Sequence, residues 1–211
     1  MNVMRAPIVH IVDDDEPTRT AMARLVATEG LEVRTYPGAA ELLEALRPGE
    51  PGCIVLDLQM PGVNGLQLQA KIAERDDPLP VIFLTGHGQI PDSVRAIQHG
   101  AIDFLTKPAE GAVLLAAIAR ALAQDAADRD ARQRRRELRE RYERLTPRER
   151  EVLVHLIAGQ LNKQAAADLN IAERTIKLHR ARILEKLETD SMAGLTRIAM
   201  ELGITPADTS K

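Results

Sequence analysis

The sequence predicts an α/β domain followed by an all-α domain, and three observations indicate this arrangement. Residues 1–123 alternate short apolar runs with helical periodicity five times, which is typical of parallel strands joined by helices. Residues 124–144 carry almost no large apolar side chains, and residues 145–211 contain four short helical patterns. The chain of 211 residues is also longer than a typical domain of about 100–150 residues. We predict a (βα)5 doubly wound domain with a parallel sheet at 1–123, a helical linker at 124–144 and a four-helix domain at 145–211.

Five strands and five helices are expected in the first domain. The predicted strands are short runs rich in β-branched side chains, at 8–12, 31–36, 53–56, 80–84 and 101–106. The predicted helices repeat apolar side chains three or four residues apart, at 17–30, 39–46, 66–74, 89–99 and from 110 onward. Strands joined by helices should lie parallel with right-handed crossovers. Their carboxyl ends then meet at one edge of the sheet, where open α/β folds bind ligands.

Asp57 stands at the end of the third predicted strand. The run at 53–56 predicts a strand buried on both faces, and Pro61, Gly62 and Gly65 prevent the strand from continuing. A carboxylate there is costly unless it meets a cation or hydrogen-bond donors. The position therefore indicates a chemical role for Asp57.

The other strands deliver further polar groups to the same edge. The first strand ends in four acids that include Asp13 and Asp14, the fourth ends in Thr85, and the fifth ends in Lys107. Crowded carboxylates repel one another unless they share a cation, and oxygen ligands without cysteine or paired histidine favour Mg²⁺. Lys107 and Thr85 would then contact an anion. We expect in-line phosphoryl transfer to Asp57, which would give an acyl phosphate.

The first domain resembles the receiver domain of bacterial two-component response regulators over residues 5–123. The residues that carry the resemblance are Asp13-Asp14, Asp57 with its trailing Met-Pro-Gly-x-x-Gly, Thr85 and Lys107-Pro108. Ala109 departs from the pattern, because receivers usually have an aromatic or large apolar residue after Lys-Pro. This departure affects only how the fifth helix is seated.

The resemblance implies a role for each matched residue. Asp57 is the implied phosphoacceptor, and Lys107 and Thr85 the implied phosphoryl-binding groups. The implied Mg²⁺ ligands are Asp14, Asp57 and the backbone carbonyl of Gln59, with Asp13 acting through water. Phe104 stands where family members have a switch aromatic whose rotamer reports phosphorylation. The Lys107-Pro108 bond is expected to be cis.

The chain divides into an acidic and a basic half. Residues 1–123 carry 10 basic and 16 acidic side chains, whereas residues 124–211 carry 18 and 15. The acidic half suits a metal ion and the basic half suits a polyanion. Six arginines lie between 132 and 141, but the acids among them favour a solvated linker over a DNA contact.

No apolar run approaches the roughly 18 residues of a membrane span, and the N-terminus lacks an export signal. We therefore expect no membrane partner and a cytoplasmic location. The only cysteine, Cys53, excludes an intramolecular disulfide. Because Cys53 lies in a core strand, we expect a buried, unreactive thiol.

Four helices are expected in the second domain. Thr146 with Glu149 forms a capping box around Pro147, which marks a helix up to Gly159. The later helices are expected at 162–169, from 172 or 173 to 187, and up to 202 after a cap at Ser191. Four short helices predict a compact bundle.

The third of these helices has a basic outer face. Ile176, Ile183, Leu184 and Leu187 can face inward, while Arg174, Lys177 and Ala181 project together on the other side. Such a face suits the DNA major groove, although a solvated basic face explains the stripe equally well. The candidate DNA contacts are Lys163, Arg174, Thr175, Lys177, Leu178, Arg180, Ala181 and Arg182. His179 is expected to pack inside the bundle.

Residues 142–205 resemble the LuxR-type helix-turn-helix. The segments that carry the resemblance are LTPREREVLVHLIAG and NKQAAADLNIAERTIKLHRARILEKL. Together with the receiver, the chain is similar to the NarL/FixJ family, and the His-Gly that follows Thr85-Gly86 favours FixJ-like members. Some family members have a second lysine where Ala181 stands, so the base contacts and the operator stay open. The recognition helix is implied within 173–187.

The resemblance implies a transcription factor controlled by phosphorylation and not an enzyme, apart from slow loss of its own phosphate. Its implied partners are a sensor histidine kinase, double-stranded promoter DNA and a second copy of the chain, with RNA polymerase as a further candidate. Two other functions compete with this interpretation. An aspartate-based phosphohydrolase usually has a carboxylate where Gln59 stands, and a binder of single-stranded RNA uses aromatic platforms, whereas this chain has two Phe, two Tyr and no Trp.

Overall fold

The computed structural model describes residues 6–86 and 90–207. The first half contains five strands, β1 to β5, which alternate with five helices, α1 to α5. The strands are Ile8–Val12, Glu32–Tyr36, Gly52–Leu56, Val81–Thr85 and Asp103–Thr106. The helices are Glu16–Thr28, Ala39–Ala45, Gly65–Ala73, Ile90–Gln98 and Gly111–Glu143. The predicted (βα)5 order is confirmed, with most element bounds shifted by one or two residues. The expected helix start at Gln89 and the His87-Gly88 signature lie outside the described residues.

All five strands lie parallel in one sheet, in the order β2-β1-β3-β4-β5. The central strand β3 sends Ile54 and Leu56 into one apolar cluster and Cys53 and Val55 into a second. Helices α2, α3 and α4 cover the first cluster, and α1 and α5 cover the second. The strand before Asp57 is therefore buried on both faces, as predicted. The Lys107-Pro108 peptide bond is cis, as expected.

Helix α5 runs without a break through the predicted linker. It covers 33 residues, and the chain divides into two compact units between Arg129 and Asp130, inside this helix. The limits predicted at 123 and 145 stay predictions. Two side chains beyond 123 explain why the helix still packs on the first unit. Asp125 Oδ2 accepts a hydrogen bond from Gly52 N–H at 2.9 Å, and Arg129 donates to Asp125 and to the carbonyls of Gly49 and Glu50.

Four helices follow the end of α5 in the part of the second unit that the structure describes, up to residue 207. They are α6 at Pro147–Ile157, α7 at Asn162–Asp168, α8 at Glu173–Lys186 and α9 at Met192–Leu202. Thr146 and Glu149 form the predicted capping box, and Ser191 caps α9. The bundle core also includes Leu138 and Leu145. No helix in 6–86 or 90–207 is long and apolar enough to span a membrane.

Candidate phosphoryl-transfer site and DNA-binding helix

The carboxyl ends of β1, β3 and β5 bring Asp13, Asp57 and Lys107 together. Strand β1 lies beside β3, and Asp57 N–H donates to the Val12 carbonyl at 2.9 Å, which extends that pairing by one residue. Lys107 N–H donates to the Thr85 carbonyl at 2.8 Å, so the end of β5 is tied to the end of β4. Parallel pairing therefore delivers these side chains to one edge, as the sequence predicted.

Lys107 bridges the two acids. Its Nζ donates to Asp13 Oδ2 at 2.6 Å and to Asp57 Oδ2 at 2.7 Å. Asp13 is 1% exposed and Asp57 is 8% exposed, so both carboxylates are largely withdrawn from water. Charge-assisted hydrogen bonds are strong in such surroundings. The ammonium offsets the negative charge where the two strands end.

Burial and Lys107 act in opposite directions on the pKa of Asp13. Burial raises the pKa of Asp13 above its ordinary value, although hydrogen bonds from Lys107 and from Asp15 N–H lower it. Burial alone would lower the pKa of Lys107, but its bonds to Asp13 and Asp57 outweigh this and raise that pKa. Lys107 thus carries its charge at neutral pH and stays a donor to an anion.

Asp14 completes a group of three acids. Carboxylate oxygens of Asp13, Asp14 and Asp57 lie within 4.8 Å of one another, with Asp13 buried and Asp14 exposed. Three oxygen ligands with one side open to water match the preference of Mg²⁺, which keeps several waters when it binds to proteins. The residues present therefore fit a magnesium ion.

Asp13 is held by partners just before α1, on α1 and on β2. Its Oδ1 accepts from Asp15 N–H at 3.0 Å, and its carbonyl accepts from Arg19 Nη1 at 2.6 Å. Asp13 N–H donates to the Tyr36 carbonyl on β2 at 3.2 Å. Arg19 was not identified from the sequence. The only sequence feature that could have indicated Arg19 is its position in the first turn of α1, close to the acids that end β1.

Of the remaining residues expected at this site, Gln59 contacts Asp57, Thr85 ends β4, and Phe104 packs on Phe83. Gln59 N–H donates to Asp57 Oδ1 at 3.2 Å, and the Thr85 side chain is fully buried at the end of β4. Phe104 is half-buried with its ring centroid 5.8 Å from that of Phe83. Cys53 takes no part, because burial raises the pKa of its thiol to about 12.

Helix α8 presents the expected basic face. Ile176 and Ile183 are fully buried in the bundle core, and Leu187 is buried beside them. The candidate contacts that are exposed are Arg174, Lys177, Leu178, Ala181 and Arg182, with Lys163 on α7, whereas Thr175 and Arg180 are half-buried. His179 is also half-buried. The inward and outward sides of α8 are therefore those that the periodicity predicted.

A buried ion pair fixes the C-terminal end of α8. Glu149 is 2% exposed and accepts from Thr146 N–H at 2.8 Å and from Lys186 Nζ at 2.7 Å. Lys186 also donates to the Arg144 carbonyl at 3.1 Å. The sequence indicated Glu149 only as a helix cap. Its pairing with Lys186 spans 37 positions and had no local signal.

Comparisons with known proteins agree with both units. Residues 9–119 match the family model of the response regulator receiver domain, and residues 143–199 match that of the luxR family of bacterial regulatory proteins. Nodulation protein W of Bradyrhizobium diazoefficiens is 39% identical over 204 residues, which cover 97% of this chain and 90% of that protein. The transcriptional regulatory protein FixJ of Azorhizobium caulinodans is 40% identical over 200 residues, which cover 95% of each chain.

Solved structures show the same likeness. The response regulator StyR has 42% sequence identity and a TM-score of 0.81, over 93% of this chain and 100% of that one. Full-length FixJ from B. japonicum has 35% identity and a TM-score of 0.57, over 94% of this chain and 98% of that one.

Proposed function

This chain belongs to the two-component response regulators that join a receiver domain to a LuxR-type DNA-binding domain, and we propose that phosphorylation of Asp57 controls its binding to promoter DNA. The observation that carries the proposal is the bridge from Lys107 Nζ to Asp13 and Asp57. A cation held against a nearly buried carboxylate at a strand end is the arrangement that an aspartyl phosphate requires.

The phosphoryl donor is a phosphohistidine of a sensor kinase. An Asp57 carboxylate oxygen attacks phosphorus, an O–P bond forms, and the P–N bond to the kinase imidazole breaks. Lys107 moves from the carboxylate to a phosphoryl oxygen, and the Thr85 hydroxyl donates to another. Asp14, Asp57 and the Gln59 carbonyl would hold Mg²⁺, with Asp13 acting through water, and the ion would neutralise negative charge in the transition state.

The phosphoryl signal leaves the site through Thr85 and Phe104. Engagement of the Thr85 hydroxyl draws this residue toward the phosphoryl group, and Phe104 fills the space that is released. The surface of α4 and α5 then favours a homodimer. Val94 and Ile97 on α4 and Val113 on α5 are 44–49% exposed, and they supply apolar area for such an interface.

The dimer binds DNA through α8. Arg174, Lys177, Leu178, Ala181 and Arg182 face the major groove, with Thr175 and Arg180 at the edge of this surface and Lys163 on the phosphate backbone. Two copies of α8 then read two half-sites about one DNA turn apart. The bound dimer presents its remaining surface to RNA polymerase.

The protein is a regulator and turns over no small phosphate ester. Gln59 provides no carboxyl proton for a leaving group, so the acyl phosphate is lost only slowly to water. Hydrolysis of a small phosphate ester with repeated turnover would contradict this. Tighter binding to single-stranded RNA than to duplex DNA in a gel-shift comparison would contradict the DNA-binding role.

The test of the proposal is the variant Asp57→Asn. Incubation with labelled acetyl phosphate and Mg²⁺ should label the wild-type protein at Asp57 and leave the variant unlabelled, because an amide cannot form the acyl phosphate. The matched control is Asp76→Asn, which changes an exposed acid in the loop before β4 and should label like the wild type. Labelling retained in Asp57→Asn would overturn the proposal.

A further inference from the structure

The second unit carries a stripe of four arginines on the last turns of α5. Arg132, Arg135, Arg136 and Arg139 are spaced three, one and three residues apart on this helix. At about 100° per residue, these positions fall on one face, over about 10 Å of helix. We call this set the arginine stripe. The stripe is long enough to contact two neighbouring phosphates of one DNA strand.

The stripe is exposed and only partly neutralised. Arg135, Arg136 and Arg139 are exposed, and Arg132 is half-buried. Arg135 and Arg139 make no ion pair with any residue in 6–86 or 90–207. Three members of the stripe have an acid four residues away on the helix, at Asp128, Glu140 and Glu143, whereas Arg135 has none. The positive charge that no ion pair offsets is therefore centred on Arg135 and Arg139.

The apolar side chains of this helical segment already pack against the four-helix bundle. Leu138 and Leu145 are buried in the bundle core, and the Arg150 guanidinium lies 4.9 Å from the centroid of the Tyr142 ring. The stripe consequently offers charge without an apolar face. A membrane-surface helix would need that apolar face free, whereas a phosphate backbone does not.

The end of α5 is also tied to the recognition helix. Arg141 pairs with Glu188 at 3.0 Å, just beyond α8, and Lys186 of α8 donates to the Arg144 carbonyl at 3.1 Å. These contacts hold the stripe and α8 on one folded unit. A duplex bound by α8 therefore brings its flanking phosphates to the same unit that carries the stripe.

We propose that the arginine stripe binds backbone phosphates of duplex DNA beside the sequence read by α8. This inference rests on the proposed DNA-binding function and extends it to a second surface of the same unit. Guanidinium groups hold phosphate oxygens through paired hydrogen bonds. Such contacts add affinity and salt dependence without sequence preference.

The test is the double variant Arg135→Gln/Arg139→Gln in the full-length, phosphorylated protein. The probes are a duplex selected by the wild-type protein from random sequence and an unrelated duplex of the same length. Loss of two phosphate contacts should lower the slope of log affinity against log salt by about 1.8. Between 50 and 200 mM salt, the wild-type affinity should then fall about 12-fold more than that of the variant. The ratio of affinities for the two duplexes should not change.

Two controls separate a contact from a general charge effect. Arg24→Gln/Arg47→Gln removes two exposed charges from the receiver and should keep the wild-type slope. Arg134→Gln changes the exposed neighbour of Arg135, about 100° away around the helix, and should also keep it. Circular dichroism should show unchanged helix content in every variant, because glutamine is a good helix former.

Each outcome decides between the two proposals. An unchanged slope in Arg135→Gln/Arg139→Gln, with normal binding by the wild type, would overturn the stripe and leave the proposed function intact. A selection from which the phosphorylated wild-type protein enriches no duplex would overturn the proposed function itself. Equal slope changes in the double variant and in the receiver control would mean that net charge, and not this surface, sets the salt dependence.

Discussion

His10 is a buried histidine whose ring makes a single hydrogen bond among the described residues. It is 0% exposed on β1, its Nδ1 lies 3.0 Å from the Tyr36 hydroxyl, and its Nε2 is buried without a partner. Burial lowers the pKa of His10 from 6.5 to about 4. The charges of Glu50 and Glu32 raise this pKa and that of Arg34 lowers it, but burial has the largest effect. The folded protein therefore favours the neutral form of the His10 ring.

His10 should make the receiver less stable in acid. Because its pKa is lower in the folded state, the unfolded chain binds the proton more tightly, and stability is lost as pH falls from about 6.5 toward 4. Between pH 7 and pH 5 the loss should be about 2 kcal/mol. Urea unfolding at pH 7 and at pH 5 measures this loss of unfolding free energy. Hydrogen exchange of peptides from β1 then shows whether the loss affects this strand.

The control is His10→Leu, which cannot titrate at this position. The raised pKa of Asp13 acts in the opposite direction but is common to both proteins, so the difference between their pH slopes isolates His10. A His10→Leu slope equal to that of the wild type would show that the buried ring does not titrate as expected.

Gly65 and Gly62 follow Asp57 for different physical reasons. A Cβ on Gly65 would lie 2.5 Å from the Asp57 carbonyl oxygen and 2.9 Å from Phe83 Cε1, whereas Gly62 has open space but a φ of +80°. Gly65→Ala should cost about 3 kcal/mol through overpacking against backbone, and Gly62→Ala about 1 kcal/mol through the left-handed angle. Urea unfolding of the receiver measures both losses.

Acetyl phosphate labelling should fall in Gly65→Ala and stay near wild type in Gly62→Ala, because only the first change displaces the backbone of Asp57. Equal losses of stability in the two variants would mean that the loop relaxes around the added methyl group and that the close approach is not needed.

The buried pair of Glu149 and Lys186 joins the start of α6 to the end of α8. Burial raises the Glu149 pKa, but the hydrogen bonds from Lys186 and Thr146 outweigh it and lower that pKa. Lys186→Met should cost about 3 kcal/mol in the second unit, because it leaves a buried carboxylate without its cation. Lys177→Met is the matched control on the same helix, since its pair with Glu173 has side chains 64% and 45% exposed and should contribute under about 1 kcal/mol.

Thermal unfolding monitored by circular dichroism measures the loss of stability in Lys186→Met and in Lys177→Met. Adding Glu149→Gln to Lys186→Met should recover part of the loss, because a neutral amide is cheaper to bury than an unpaired carboxylate. A double variant that is less stable than Lys186→Met would contradict this account of the pair.

These elements also show what sequence patterns can predict. The strand ends at Asp13, Asp57 and Lys107 were predictable because parallel βα units deliver each strand end to one edge, and the caps at Thr146 and Ser191 were predictable because capping is local. The pairing of Asp125 with Gly52 was not, since the two lie 73 positions apart and meet only through tertiary packing. The pairing of Lys186 with Glu149, 37 positions apart, escaped prediction for the same reason. The contact from Arg19 to the Asp13 carbonyl spans only six positions, but no sequence pattern marks a side chain that binds a backbone carbonyl.

The charge of the whole molecule is divided as its chemistry requires. Acids gather in the receiver, where we propose that a cation and a phosphoryl group bind, and arginines gather at 132–141, where we propose a contact with DNA. Helix α5 joins the two units as one continuous segment. Under the proposed function, a phosphoryl group on Asp57 would act on DNA binding either through assembly of two chains or through a change within one chain, and these two routes predict different affinities.

The assembly route predicts that phosphorylation matters only when DNA offers two half-sites. With half-sites one turn apart, the second α8 binds at high effective concentration, so phosphorylation should raise affinity at least about 100-fold. On a duplex with one half-site scrambled, the gain should be less than about 2-fold, because no second contact forms. Titration of phosphorylated and unphosphorylated protein on both duplexes measures the gains.

A third duplex, with about 5 base pairs inserted between the half-sites, turns one of them to the opposite side of the helix and should abolish the gain. Phosphorylation that strengthened binding equally on one and on two half-sites would exclude assembly and would mean that the phosphoryl group acts within a single chain. By reciprocity, the assembly route also requires the two-site duplex to raise the fraction of phosphorylated protein when phosphoryl exchange with the kinase phosphohistidine is at equilibrium, and the single-site duplex to leave that fraction unchanged.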